Sequence, residues 1–160
     1  MRVKAFLFST ILVVLIFHTF FLSLVSATIR IMPLGNSITQ GTSSGVTDNA
    51  FQVSYRMALW ERITSAGYEI DYVGSLNSGS TLFGDSDLAD HEGHPGWTDY
   101  EIVNGRSSEP DKGKLKDWLI DHQPDIVLLH IGTNGLSTSP DDVEDILDEI
   151  DLYSQDVWVI

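Results

Sequence analysis

The run Asp125-Ile126-Val127-Leu128-Leu129-His130-Ile131 constrains this chain more than any other stretch. It is nearly continuous in apolar residues and shows no alternation, the pattern of a central parallel strand covered on both faces. Helical patterns flank it. Before it, Lys112 to His122 places Leu115, Trp118 and Leu119 on one face; after it, Val143, Ile146, Leu147 and Ile150 form a second apolar stripe. That second helix opens with Ser139 as N-cap, Pro140 at the first helical position and acidic residues in the first turn.

The N-terminal half repeats the alternation. Ile29 to Met32 reads as a strand, and a helical period begins near Phe51, with Tyr55, Leu59 and Ile63 recurring and Gly67 at the C-terminal cap. Ile70-Asp71-Tyr72-Val73-Gly74 reads as the next strand, so the unit crosses over right-handed. Asp156 to Ile160 begins another strand. Strand and helix in alternation predict an α/β fold, a three-layer sandwich with parallel strands starting near Ile29, Ile70, Asp125 and Val157. Ser75 to Trp97 has no regular period, and a loop of that length inside a compact domain is usually functional or disordered.

Residues 1–27 stand apart. Met1-Arg2-Val3-Lys4 is basic, Ala5 to Leu24 is almost wholly apolar, and Val25-Ser26-Ala27 is a small-x-small cleavage pattern, which together read as a secretory signal peptide. An uncleaved anchor is the alternative, because about 20 apolar residues can span a bilayer. Residues 28–160 then make one domain, which after cleavage calls for no membrane partner. The chain carries 23 acidic and 9 basic residues, a formal charge of −14, and two of the bases leave with the leader. Such a surface repels nucleic acid and favours neutral or cationic partners. Cysteine is absent, which removes disulfides, thiolate metal sites and thiol nucleophiles.

Three glycine-centred loops carry the chemistry. Leu34-Gly35-Asn36-Ser37-Ile38-Thr39-Gln40-Gly41 follows the first strand, Pro95-Gly96-Trp97-Thr98 sits in the aperiodic stretch, and Ile131-Gly132-Thr133-Asn134 follows the apolar run. Ligands of open α/β sheets bind outside the carboxyl ends of the strands, which puts Ser37 and Asn134 on one edge. Taken singly, each loop also reads as turn chemistry: Ser37 as a structural loop, Gly96 as a turn glycine after Pro95, Asn134-Gly135 as a turn. A catalytic serine needs a base, an oxyanion site and a backbone that exposes it.

In that chain order, serine, glycine and asparagine resemble the SGNH hydrolases, or GDSL-type esterases, with Gly35-Asn36-Ser37 in place of Gly-Asp-Ser. The fullest match is Asp90-His91-Glu92-Gly93-His94-Pro95-Gly96-Trp97 followed by His130-Ile131-Gly132-Thr133-Asn134, with Tyr55-Arg56 in the first helix; it resembles the branch holding the family 3 carbohydrate esterases. The resemblance implies a parallel flavodoxin-like sheet and a secreted serine esterase acting on O-acyl, above all O-acetyl, esters of carbohydrate. Its substrate would be a small-molecule or polysaccharide ester, with no cofactor and no metal. Ser37 would be the nucleophile, with its own N–H, the Gly96 N–H and the Asn134 amide as oxyanion donors.

Three departures from the family pattern stand out. Asn36 replaces the usual Asp beside the nucleophile, where tolerance is expected. Gly135 replaces the Asp that follows the block asparagine, which would loosen the loop. The family's Asp-x-x-His block has no counterpart in the 160 residues, so the domain reads as an N-terminal portion without its last strand and helix. The alternative function is therefore a catalytically inactive carbohydrate-binding or interaction protein on the same fold.

His94 is the candidate substitute base, because its loop carries Gly96; a structural or loop-ordering role is the other reading for both His94 and His91. His122 lies at a helix end, and His130 reads as a core histidine. Asp85, Asp87, Asp90 and Glu92 form an acidic cluster whose spacing does not match a calcium loop, so it reads as a solvated loop. The Gly35 to Gly41 loop lacks the Gly-Lys-Ser/Thr of a phosphate loop and the glycine spacing of a dinucleotide site. Nothing in the sequence sets an oligomeric state.

Overall fold

The computed structural model describes residues 27–84, 87–135 and 139–160. Nearly all of the leader segment lies outside them, as does Asp85 of the acidic cluster. In chain order the elements are β1 (Ile29–Gly35), α1 (Ser37–Gln40), α2 (Ser54–Ser65), β2 (Ile70–Tyr72), β3 (Leu76–Asn77), α3 (Ser80–Phe83), β4 (Asp90–Gly93), α4 (Asp99–Asn104), α5 (Leu115–His122), β5 (Ile126–His130), α6 (Asp141–Tyr153) and β6 (Trp158–Val159).

Strand β1 is the middle of the sheet. On one side it pairs in parallel with β5, from Ile31 opposite Ile126 to Gly35 opposite His130. On the other, β2 takes its first three residues and β4 its last two, both in parallel. Strand β6 runs parallel to β5, and β3 is antiparallel to β4. The order is β3-β4-β1-β5-β6, with β2 beside the first half of β1.

Alternate residues of the strands feed two cores, as the two-residue period of a strand requires. Met32, Leu34 and Val127 meet Ile102, Leu115, Trp118, Leu119, Ile146 and Ile150 of α4, α5 and α6. Ile31, Ile70 and Tyr72 meet Met57, Trp60 and Ile63 of α2 on the opposite face. The three layers and the parallel sheet are those expected, and the four expected strands start within one residue of the positions read from sequence.

Four local readings need correction. The stretch 75–97 is not aperiodic throughout: it contains β3, α3 and β4. Strand β4 escapes a hydrophobicity reading because its buried residues are His91, Glu92 and Gly93, held by hydrogen bonds instead of apolar contact. Helix α4 was not foreseen, although Thr98 and Glu101 spell a capping box that the structure forms on both sides. Helix α6 begins at Asp141, with Pro140 at its cap and Ser139 Oγ accepting from the Asp141 N–H at 3.3 Å. Finally, β5 is not covered on both faces throughout. Its neighbour β6 is two residues long, so Val127 is buried while His130 is exposed, and the core-histidine reading of His130 does not hold.

Candidate active site

The site is assembled at the carboxyl edge of the sheet, where β1, β4 and β5 end side by side. Gly35 pairs with Gly93 on one side and His130 on the other. A Cβ at Gly35 would run into the His130 carbonyl, and one at Gly93 would come within 2.5 Å of the Gln40 nitrogen. Both glycines are therefore demanded by close backbone approach.

Asn36 is fully buried and performs two tasks at once. Its Oδ1 accepts the Ile38 N–H at 3.1 Å, capping the one-turn helix α1, and its Nδ2 donates to Thr133 Oγ1 at 2.7 Å. Ser37 is the first residue of that turn and is half-buried. The turn closes on Gly41, which takes φ +109° and donates its N–H to the Ser37 carbonyl.

The second loop hangs from β4. The His94 N–H donates to the Gly35 carbonyl at 2.9 Å, and the Trp97 N–H returns to the His94 carbonyl at 3.1 Å, with Gly96 between them at φ +78°. Arg106 holds this loop from outside. It donates to the Gly96 carbonyl, lies 5.4 Å over the Trp97 ring, and bonds both carboxylate oxygens of Glu101 at 2.8 Å. The Arg106 hydrogen bonds bring the Glu101 carboxyl down to about 2.

The third loop leaves β5. Asn134 Nδ2 donates to the Trp97 carbonyl at 2.9 Å, tying this loop to the one that carries Gly96. Gly135, expected to loosen the segment, instead seats it. It lies at φ +60° against the Thr98 side chain, where a Cβ would come 2.6 Å from Thr98 Cγ2. The segments bearing Ser37, Gly96 and Asn134 thus meet at one edge through the Asn36–Thr133, His94–Gly35 and Asn134–Trp97 bonds. A polar recess of about 350 Å³ lies alongside, lined by Gln40, Asn49, Asn77, His94, Trp97 and Lys112 among others.

His91, His94 and His122 are engaged elsewhere. His94 is buried, its Nε2 lies 2.8 Å from Glu92 Oε2, and its ring lies against Trp97 and Trp118 with centroids 4.4 and 4.5 Å away. Glu92 is fully buried and also takes the N–H and hydroxyl of Ser75, with His122 Nε2 at 3.7 Å. His91 accepts the Gly93 N–H at Nδ1 and meets Ser78 Oγ through Nε2 at 2.8 Å. Burial first, then Arg56 and His94, push its pKa well below the ordinary histidine value, so it is neutral. Among the described residues no histidine hydrogen-bonds the Ser37 hydroxyl.

Two members of the acidic cluster are built into the fold, against the solvated-loop reading: Asp90 accepts from Asn77, and Glu92 serves His94 and Ser75; Asp87 is exposed. Among the described residues no three His, Asp or Glu side chains gather to hold a metal ion. Sequence reasoning quoted Glu92 and Arg56 in the family blocks but did not foresee that both charges are buried. Arg56 had a signal, since it sits among Val53, Met57, Trp60 and Ile63 at helical spacing, on the face that packs inward.

No protein-family model matches the chain. A multidomain esterase of Ruminococcus flavefaciens is 33% identical over 126 residues, covering 72% of this chain and 16% of that protein. Among solved structures, a family 3 carbohydrate esterase of Clostridium thermocellum superposes with a TM-score of 0.65 at 35% identity, covering 82% of this chain and 59% of the other. A family 3 carbohydrate esterase from Talaromyces cellulolyticus gives 0.59 at 29% identity, covering 82% and 60%. An acetyl esterase mutant with acetate ion gives 0.58 at 28% identity, covering 82% and 61%. The chain thus spans 16% of the curated relative's length and about three fifths of these solved chains.

Proposed function

The chain is a homologue of the SGNH-type family 3 carbohydrate esterases over 82% of its length, and from that premise we propose that it is a secreted serine esterase that removes O-acetyl groups from carbohydrate. The observation that carries the reading is the hydrogen-bonded convergence of the Ser37, Gly96 and Asn134 loops at the carboxyl edge of the sheet. Ser37 Oγ attacks the ester carbonyl. The oxyanion of the tetrahedral intermediate is received by the Ser37 and Gly96 N–H groups and by Asn134 Nδ2, which keeps a second N–H beyond the one given to Trp97. Collapse expels the sugar alcohol and leaves acetyl-Ser37, which water hydrolyses to acetate. The polar recess, with amides beside an indole, suits a sugar ring. The leader at residues 1–27 supports secretion.

The serine proton needs a base within hydrogen-bond reach, and the buried His94 and His91 are held by Glu92 and Ser78 instead of by Ser37. The second reading is a protein that binds carbohydrate on this edge without turning it over. Acetate release from acetylated xylo-oligosaccharides separates the two. The esterase reading expects release that Ser37→Ala abolishes; binding of the oligosaccharide with no release at any enzyme concentration would leave only the second.

A further inference from the structure

We propose that Arg56 is a positioning residue that fixes the Ser37 turn by holding the carbonyls at its far end. The proposal rests on the reading of Ser37 as nucleophile. Helix α1 is a single turn of four residues, too short to be stable through its own bonding. Each of its carbonyls instead finds a donor from outside or from the closing residue. The Ser37 carbonyl receives the Gly41 N–H and the Thr42 hydroxyl, and the Ile38 carbonyl receives the Ser54 hydroxyl. Arg56 takes the last two: Nε donates to the Thr39 carbonyl at 3.2 Å and Nη2 to the Gln40 carbonyl at 3.2 Å.

The same guanidinium reaches three other segments. It donates to the carbonyls of Gln52, Ser78 and Ala89 at 2.8, 3.1 and 2.8 Å and to Ser78 Oγ at 2.7 Å. Ser78 Oγ in turn donates to the Gln40 carbonyl and meets His91 Nε2. Arg56 is fully buried, its side-chain hydrogen bonds all go to main-chain carbonyls and Ser78 Oγ, and Asp90 is the carboxylate that acts on it electrostatically. Its charge is therefore spent on main-chain oxygens, at the C-terminal end of the turn where a cation opposes the exposed carbonyl dipoles. The β4 side of the cleft and the Ser37 turn are locked to one rigid fork. A lysine carries the charge but only a point donor, and cannot span these directions.

The test is amide hydrogen exchange at Gln40 and Gly41 in the whole protein and its Arg56→Lys variant, alongside the rate at which diethyl p-nitrophenyl phosphate modifies Ser37. The expected result is exchange at Gln40 and Gly41 faster by about tenfold or more in Arg56→Lys, with Val127 and Leu129 unchanged, and slower modification of Ser37. Unchanged exchange at the turn overturns the clamp, whatever Ser37 does. A loosened turn with Ser37 modified at the parent's rate overturns the positioning role and leaves the nucleophile reading standing. Should Arg56→Lys not fold, Ser78→Ala removes one bridge of the same fork; it is expected to give a smaller increase confined to the turn, and no change there counts against the proposal.

Discussion

Asn36 donates from Nδ2 to Thr133 Oγ1 at 2.7 Å, joining two loops 97 residues apart in sequence. That bond, with the Asn36 cap on Ile38, makes the residue before Ser37 a strut of the site. Asn36→Ala should lose about 2 kcal/mol of stability, roughly one for the N-cap and one for the bond. Asn36→Asp should stay within about 1 kcal/mol, because a carboxylate still caps Ile38 and the Thr133 hydroxyl can turn to donate. Urea midpoints of the three proteins check this.

The approach of β4 to the Ser37 turn gives a steric prediction. Gly93→Ala places a methyl 2.5 Å from the Gln40 nitrogen. Backbone must move, and the cost should be about 1–3 kcal/mol in stability. Chemical shifts of Ser37 to Gly41 should change while those of α6 do not.

Much of this architecture was legible in the chain. The β5 run is continuously apolar and the helical stripes of α2, α5 and α6 are periodic, and each element formed within a few residues of its expected place. Strand β4 was not legible as a strand, because its burial is achieved by a carboxylate–imidazole pair and backbone bonds that leave no hydrophobic signature. The loops of Ser37 and Asn134 could be placed from topology alone, and that of Gly96 only through the family resemblance. The partners that hold them, Thr133, Arg106 and Arg56, depend on contacts between distant segments that no local pattern displays.

Buried His91 makes stability depend on pH. Its folded pKa is depressed, so the unfolded chain binds the extra proton first. Its contribution is complete above the unfolded value near 6.5 and is lost as pH falls below it. Glu101, also depressed, acts only below its ordinary value of 4.5. Asp90 is raised by burial and runs the opposite way, favouring the folded state below 3.8 and losing that benefit as pH rises through its folded pKa. Thermal midpoints between pH 5 and 7 should therefore fall on acidification, and His91→Gln should flatten that slope.

The bond from Asn134 to the Trp97 carbonyl sharpens a kinetic expectation. Asn134→Ala removes an oxyanion donor and also frees the Gly96 loop. In a protein with turnover it should raise the barrier by about 2.7–4 kcal/mol, or about 10²–10³ in kcat. A change confined to KM would assign Asn134 to ground-state binding.

Turnover of p-nitrophenyl acetate tests the central claim most directly, measured in these 160 residues, in the chain extended by an Asp-x-x-His segment, and in Ser37→Ala of each. The account predicts slow hydrolysis in the first, resting on the oxyanion donors alone, which in other serine enzymes retain about 10³–10⁴ over water. It predicts much faster hydrolysis in the second, and loss of that gain in Ser37→Ala. A rate in the extended chain indifferent to Ser37→Ala would contradict it; fast turnover in the 160 residues, abolished by His94→Ala, would make His94 the base.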